Sequence, residues 1–172
     1  MTAPVQLRAD PLVVAIGQPL GGDDAVGLVV AERLRTTGIP TRTVSDGSAL
    51  AELLSTVPRA ILLDAVVGAG PAGTIVHLSG DALVDLASDP RASRAGSRPV
   101  SCHGISVALA VSIARALGGA TDVQLVGVAV DPPGPLGEAP VPGALTTLSP
   151  AVAAAVDVAV LRVHDLLNRS GG

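Results

Sequence analysis

The sequence contains no Phe, Tyr, Trp or Lys, and only one Cys and one Met. Each absence removes a class of function. Without aromatic rings there is no platform for stacking bases, and a net charge of -4 supplies no electrostatic pull toward a phosphate backbone. Nucleic acid is therefore not an expected partner. All eleven cationic side chains are Arg, which rules out a Schiff-base lysine, a P-loop lysine and a Ser-Lys dyad. No tyrosine is present to act as a general acid. One Cys cannot close an internal disulfide, which fits a reducing compartment. No stretch approaches the roughly 18 uninterrupted apolar residues of a membrane span. Residues Met1 to Asp10 lack the basic start and apolar run of a signal peptide. The expectation is a cytoplasmic protein without a membrane partner.

What the chain does have is small apolar residues. Hydrophobic side chains make up 48% of its 172 residues, and a chain of this length buries roughly 70% of its unfolded surface. Its core must be built from Val, Leu, Ile and Ala, which suit a sheet covered by helices. Leu12 to Ile16 is a continuous apolar run, as in strands buried on both faces. A Gly/Pro break follows, and Asp23-Asp24 opens a helix expected from about Ala25 to Arg35, with Val26, Val29, Val30 and Leu34 on one face. Thr41 to Val44 reads as a strand, Ser45 to Ser48 as a turn capping a helix to about Thr56, and Ala60 to Leu63 as a strand. This strand, helix, strand, helix, strand order argues for an α/β fold with a parallel sheet. The strand at about Gly73 to Leu78 follows a connection too short for a crossover helix, so it is expected antiparallel at an edge. A short helix over Asp81 to Ala87, a polar loop over Ser88 to Arg98, a helix over about Ile105 to Leu117 and a strand over Val123 to Val130 complete a five-stranded sheet. Asp131 to Thr147 reads as a Pro/Gly-rich loop, and Pro150 to about Leu167 as a final helix with Val152, Val156, Val160, Val163 and Leu167 in its apolar stripe. No repeat or second domain is visible.

Three potential ligands stand at predicted strand ends: Asp23-Asp24, Asp64 and His103. In a parallel sheet those ends share one edge, where ligands bind. Two carboxylates and an imidazole suit a borderline divalent cation such as nickel or zinc. Gly17-Gln18-Pro19-Leu20-Gly21-Gly22 has neither the Gly-x-Gly-x-x-Gly spacing nor a Lys-Ser/Thr ending, and an acidic helix start repels phosphate, so a nucleotide does not fit. Each ligand also has a plainer explanation: Asp23 or Asp24 as a helix cap, Asp64 in an Asx turn, His103 as a capping or packing residue. One of the adjacent aspartates can cap while the other faces the crevice. Asp64 lies between two apolar triplets, where an unpaired carboxylate is costly. Cys102 adjoins His103, but neighbours on an extended segment point to opposite faces, which disfavours them as nucleophile and base. His77 reads as the polar face of an edge strand and His164 as solvated.

Taken in order, Val13-Val-Ala-Ile-Gly-Gln-Pro-Leu-Gly-Gly-Asp-Asp-Ala-Val-Gly27, Asp46-Gly47, Leu63-Asp64-Ala65-Val66, Ser101-Cys-His-Gly104, Leu125-Val-Gly-Val128 and Leu148-Ser-Pro150 resemble the hydrogenase maturation endopeptidases. These remove a C-terminal extension from the precursor of the nickel-iron hydrogenase large subunit. The resemblance implies a three-layer helix, sheet, helix domain over 1–172, with 1–11 a leader and 168–172 a tail, acting as a monomer on that precursor. It places the catalytic and metal-site residues on Asp24, Asp64 and His103. The nickel they engage is the one already seated in the substrate; zinc or cadmium would substitute in vitro. Gln18 stands where the family usually has Asn, Asp24 where Glu is frequent, Ala25 where Gly is common, and Gly47-Ser48 where two Gly are usual. Gln18, Asp46 and Gly47 are thus the candidates for substrate recognition. Two other functions remain open at this level: a hydrolase with Cys102 as nucleophile, and a non-catalytic module that recognises a metallated partner.

Overall fold

The apolar run Leu12–Ile16 forms strand β1 and passes through a 3-10 turn, Gly22–Ala25, into helix α1, Val26–Thr36. Strand β2, Thr41–Val44, leads to helix α2, Gly47–Ser55, and then to strand β3, Arg59–Val67. Strand β4, Ile75–Ser79, and helix α3, Gly80–Ser88, come next. Helix α4, Val107–Ala116, strand β5, Asp122–Val130, and helix α5, Pro150–Ser170, complete the elements of this computed structural model. It describes residues 11–19, 21–88, 106–120, 122–132 and 147–170, apart from the side chains of 86–88 and 170. Among these residues no helix is long and apolar enough to cross a membrane.

The five strands form one sheet in the order β2-β1-β3-β5-β4. Four are parallel, and β4 runs antiparallel to β5 at the edge. This is the α/β arrangement expected from the sequence, including the antiparallel edge strand. The alternation of side chains along each strand sorts the core into two layers. Val13, Ala15, Ile61, Leu63, Val126 and Val128 face one way and pack with Val30, Leu34, Val156 and Val163 from α1 and α5. Val14, Ile16, Leu62, Val66 and Leu125 face the other way and pack with Leu50, Leu54, Leu83, Val107 and Val111 from α2, α3 and α4. Val, Leu, Ile and Ala side chains fill both layers, with no Phe, Tyr or Trp among them.

The helix expected from about Ala25 to Arg35 is present as Val26–Thr36, entered through a 3-10 turn that carries both aspartates. One boundary needs correction. Strand β3 does not stop at Leu63 but runs to Val67, because β5 lies beside it for its whole length, from the Arg59 and Asp122 pair to the Val67 and Val130 pair.

Candidate active site

Chain direction decides where a crevice opens. From β1 the chain crosses to β2 on one side, whereas β3 leads to β5 and β4 on the other, so the order reverses between the neighbours β1 and β3. Ligand sites of open α/β sheets form at such a reversal, outside the carboxyl ends of the strands. Of the two carboxylates singled out in the sequence, Asp24 lies there, whereas Asp64, expected at the end of its strand, stands inside β3 and level with the end of β1, because β3 continues along β5 to Val67. Asp24 sits in the 3-10 turn directly after β1. Asp64 sits one residue past the last β1–β3 pair, Ala15 with Leu63.

Asp64 is the one buried charged or polar residue among those described, at 3% exposure. Its Oδ1 accepts a hydrogen bond from the backbone N–H of Ala65 at 2.9 Å. Burial holds its pKa well above the ordinary value of 3.8, and the nearby Asp24 carboxylate raises it further, against a smaller opposing effect of the Ala65 amide. Asp64 therefore resists ionising unless positive charge arrives. Its partner across the ladder is Gly127. A side chain there would overlap Val66 Cγ2, at 2.5 Å from the position of a Cβ, so glycine keeps the sheet face beside the carboxylate clear.

The turn that carries Asp24 is held closely. Gly17, at φ +148, allows the chain to leave β1 with its α-carbon hard against the Asp24 carbonyl; a Cβ would lie 2.8 Å from that oxygen. The Asp24 amide donates to Gly21 O at 3.2 Å. A 3-10 turn advances about 120° per residue, so successive side chains diverge. Asp23 accepts the Ser149 amide at 2.6 Å. The expectation that one of the two caps the helix they open is not met, since neither the 3-10 turn nor α1 has a side-chain cap; Asp23 instead serves the start of α5, and Asp24 lies near Asp64.

Among the remaining candidates, Gln18 is exposed at the rim, just beyond β1. Asp46 is an N-cap: its Oδ1 accepts from Ser48 N at 2.8 Å and Ala49 N at 3.0 Å, and Gly47 is the buried first residue of α2. His103 and Cys102 lie outside the described residues. Among the described residues no group of three or more His, Cys, Asp or Glu side chains gathers to hold a metal ion; the described part of the site supplies two carboxylates. His77 is not simply the polar face of an edge strand. Its Nε2–H donates to Gln124 Oε1 at 3.0 Å and its Nδ1 accepts from Arg162 at 2.7 Å. The tie from Asp23 to Ser149 was missed in the sequence, although one signal was present: the final helix begins Ser149-Pro150-Ala151-Val152, with no acidic residue to serve its first amides.

No family model and no curated protein matches the sequence. Solved structures do. The structure of a hydrogenase 2 maturation peptidase from a Thaumarchaeota archaeon is 23% identical over 92% of this chain and 98% of that one, with a TM-score of 0.54. A NiFe hydrogenase maturation protease, HycI, from Thermococcus kodakarensis is 21% identical over 93% and 94%, with a TM-score of 0.59. The endopeptidase HycI from Escherichia coli is 17% identical over 91% and 90%, with a TM-score of 0.58. The chain has the fold of the hydrogenase maturation peptidases. Within that fold, Asp24 follows β1 and Asp64 lies on the neighbouring β3, at the reversal of strand order.

Proposed function

We propose that this protein is an endopeptidase that removes the C-terminal extension of a nickel-loaded hydrogenase large-subunit precursor. The observation that carries this reading is the meeting of Asp24 and Asp64 at the reversal of strand order, in a fold shared with hydrogenase maturation proteases. The donor set fits a cation. Asp64 is desolvated and repelled by Asp24, and a divalent ion set against the pair relieves both penalties. His103 is the third ligand in this reading, its imidazole suiting nickel better than a hard cation.

The nickel belongs to the substrate, so recognition of the metal ties cleavage to completed metal insertion. The reaction is amide hydrolysis with a water held at the carboxylate pair, assisted by the substrate's metal. Exposed Gln18 touches the precursor, while Asp46 and Gly47 shape the rim by fixing the start of α2. The protein acts as a cytoplasmic monomer, with residues 1–172 forming one maturation-protease-like domain.

The test is incubation with nickel-loaded and nickel-free precursor, read as the mass of the precursor's C-terminus. Cleavage of the loaded form alone is expected; cleavage of neither, or of both equally, overturns the reading. Asp24→Ala, Asp64→Ala and His103→Ala should stay folded and lose about a hundredfold or more in kcat/KM, the upper end of what removing only a ligand's supporting partner costs. Cys102→Ser should retain activity, and its inactivation would favour a thiol nucleophile. Tight binding that leaves the precursor intact would favour a non-catalytic module.

A further inference from the structure

Four helices begin near the carboxyl edge of the sheet; α1 continues from the 3-10 turn without a side-chain cap, and two others are capped from within. Asp46 caps α2 with its own carboxylate, and Ser106 caps α4 by accepting from Leu109 N at 3.2 Å. Helix α5 is different. Ser149 holds its N-cap position, with its carbonyl accepting from Ala153 N at 2.8 Å. Yet the Ser149 hydroxyl is buried without a hydrogen-bond partner among the described residues. Three residues on, where Glu or Gln in a capping box would reach back to the Ser149 amide, the chain has Val152. That amide is instead taken by Asp23 Oδ1 at 2.6 Å, across 126 residues of sequence. The short distance fits a charge-assisted bond from amide to carboxylate.

We propose that Asp23 is a positioning residue for Asp24: by closing the cap of α5 it anchors the 3-10 turn, so that the neighbouring carboxylate is held toward Asp64. The proposal rests on the endopeptidase reading. The anchored element is substantial, since Val152, Val156, Val160 and Val163 bind α5 into the core. The turn it anchors has no side-chain cap of its own. Gly73 presses on the same end of α5, with room for a Cβ blocked at 2.5 Å by Ala151 O, so the first turn of α5 is fixed from two sides.

The test uses the full-length protein. Asp23→Asn keeps a side-chain carbonyl for the Ser149 amide, so kcat on nickel-loaded precursor should stay within about threefold of wild type. Asp23→Ala should lose about tenfold or more in kcat with KM little changed, as expected when a reacting group is misplaced by about an ångström. Asp23→Glu keeps the charge but displaces it by one methylene, and should be slower than Asp23→Asn. Amide hydrogen exchange without substrate gives an independent reading: the Asp24 and Ser149 amides should exchange faster in the Ala and Glu variants than in wild type or Asp23→Asn. A wild type inert on precursor, with this exchange pattern intact, would sink the endopeptidase reading and leave the anchor standing. An active wild type with Asp23→Ala equally active and equally protected would overturn the anchor alone. Asp23→Glu outperforming Asp23→Asn would also overturn it, by giving the role to the charge; this comparison stands even where Asp23→Ala fails to fold.

Discussion

Asp64 stands among hydrocarbon on its sheet face: Leu62 and Val66 precede and follow it there. An ionised carboxylate there opposes folding, and Asn would remove the charge while keeping an oxygen for the Ala65 amide. Asp64→Asn should therefore be inactive yet more stable at neutral pH, raising Tm by about 2–4 °C for each kcal/mol of relieved desolvation and repulsion. The sign with pH follows from proton uptake. Because the folded-state pKa is raised, the folded chain holds a proton that the unfolded chain has already lost above pH 3.8. Wild-type stability accordingly falls as pH rises from 3.8 toward the raised value, and the advantage of Asp64→Asn grows over the same window. Thermal melts of both proteins from pH 3.5 upward would show it; parallel curves would refute it. A site residue that costs stability is the pattern expected where function sets the choice of side chain. At this scale the sequence was informative. Asp64 stood out because two apolar triplets flank it, and Asp24 because two adjacent acids do not both need to cap, although in the structure neither caps the helix they open. The recipient of Asp23 was not visible, since no local pattern links residues 126 positions apart.

At the scale of elements, the antiparallel edge is braced by a run of polar contacts. Arg59 Nε donates to Asp122 Oδ2 at 3.1 Å, Gln124 Nε2 donates to Asp122 Oδ1 at 3.1 Å, and Gln124 Oε1 accepts from His77, whose other nitrogen accepts from Arg162 of α5. The donors and acceptors alternate consistently only when His77 is neutral. Partial burial lowers its pKa from 6.5, and the Arg162 charge lowers it further. A lowered folded-state pKa means that the unfolded chain takes up the proton first, so stability present above pH 6.5 is lost as pH falls through the lowered value. His77→Asn retains an acceptor for Arg162 and cannot titrate. Its urea midpoint should change less than that of wild type between pH 6.5 and 5, and an identical pH dependence would exclude His77 as the cause. The edge strand was legible because six Gly/Pro/Ala residues cannot house a crossover helix. Its bracing was not, because His77 alternating with Val76 and Leu78 looks the same whether it faces water or Arg162.

For the whole molecule, stability rests on two aliphatic layers, one on each side of the sheet. Leu62 is fully buried between strands and helices at 0% exposure, whereas Leu161 on the outer face of α5 is 65% exposed. Leu62→Ala should cost about 2–5 kcal/mol in urea unfolding, and Leu161→Ala should stay within about 0.5 kcal/mol. Comparable losses at both positions would mean that the outer face of α5 is covered in solution. The layered fold was readable because continuous apolar runs and 3.6-residue stripes alternate along the chain. The length of β3 was not, since the end of a buried strand depends on its neighbour β5 rather than on its own residues.

The bond between Asp23 and Ser149 also sets an order in time. Synthesis proceeds from the N-terminus, so β1, Asp24 and Asp64 leave the ribosome well before α5 does. Until Ser149 emerges, the turn beside the crevice lacks its distant hydrogen-bond partner. Helix α5 thus completes a part of the site that is made before it, and a chain truncated ahead of α5 would carry Asp24 on a turn with one end untied.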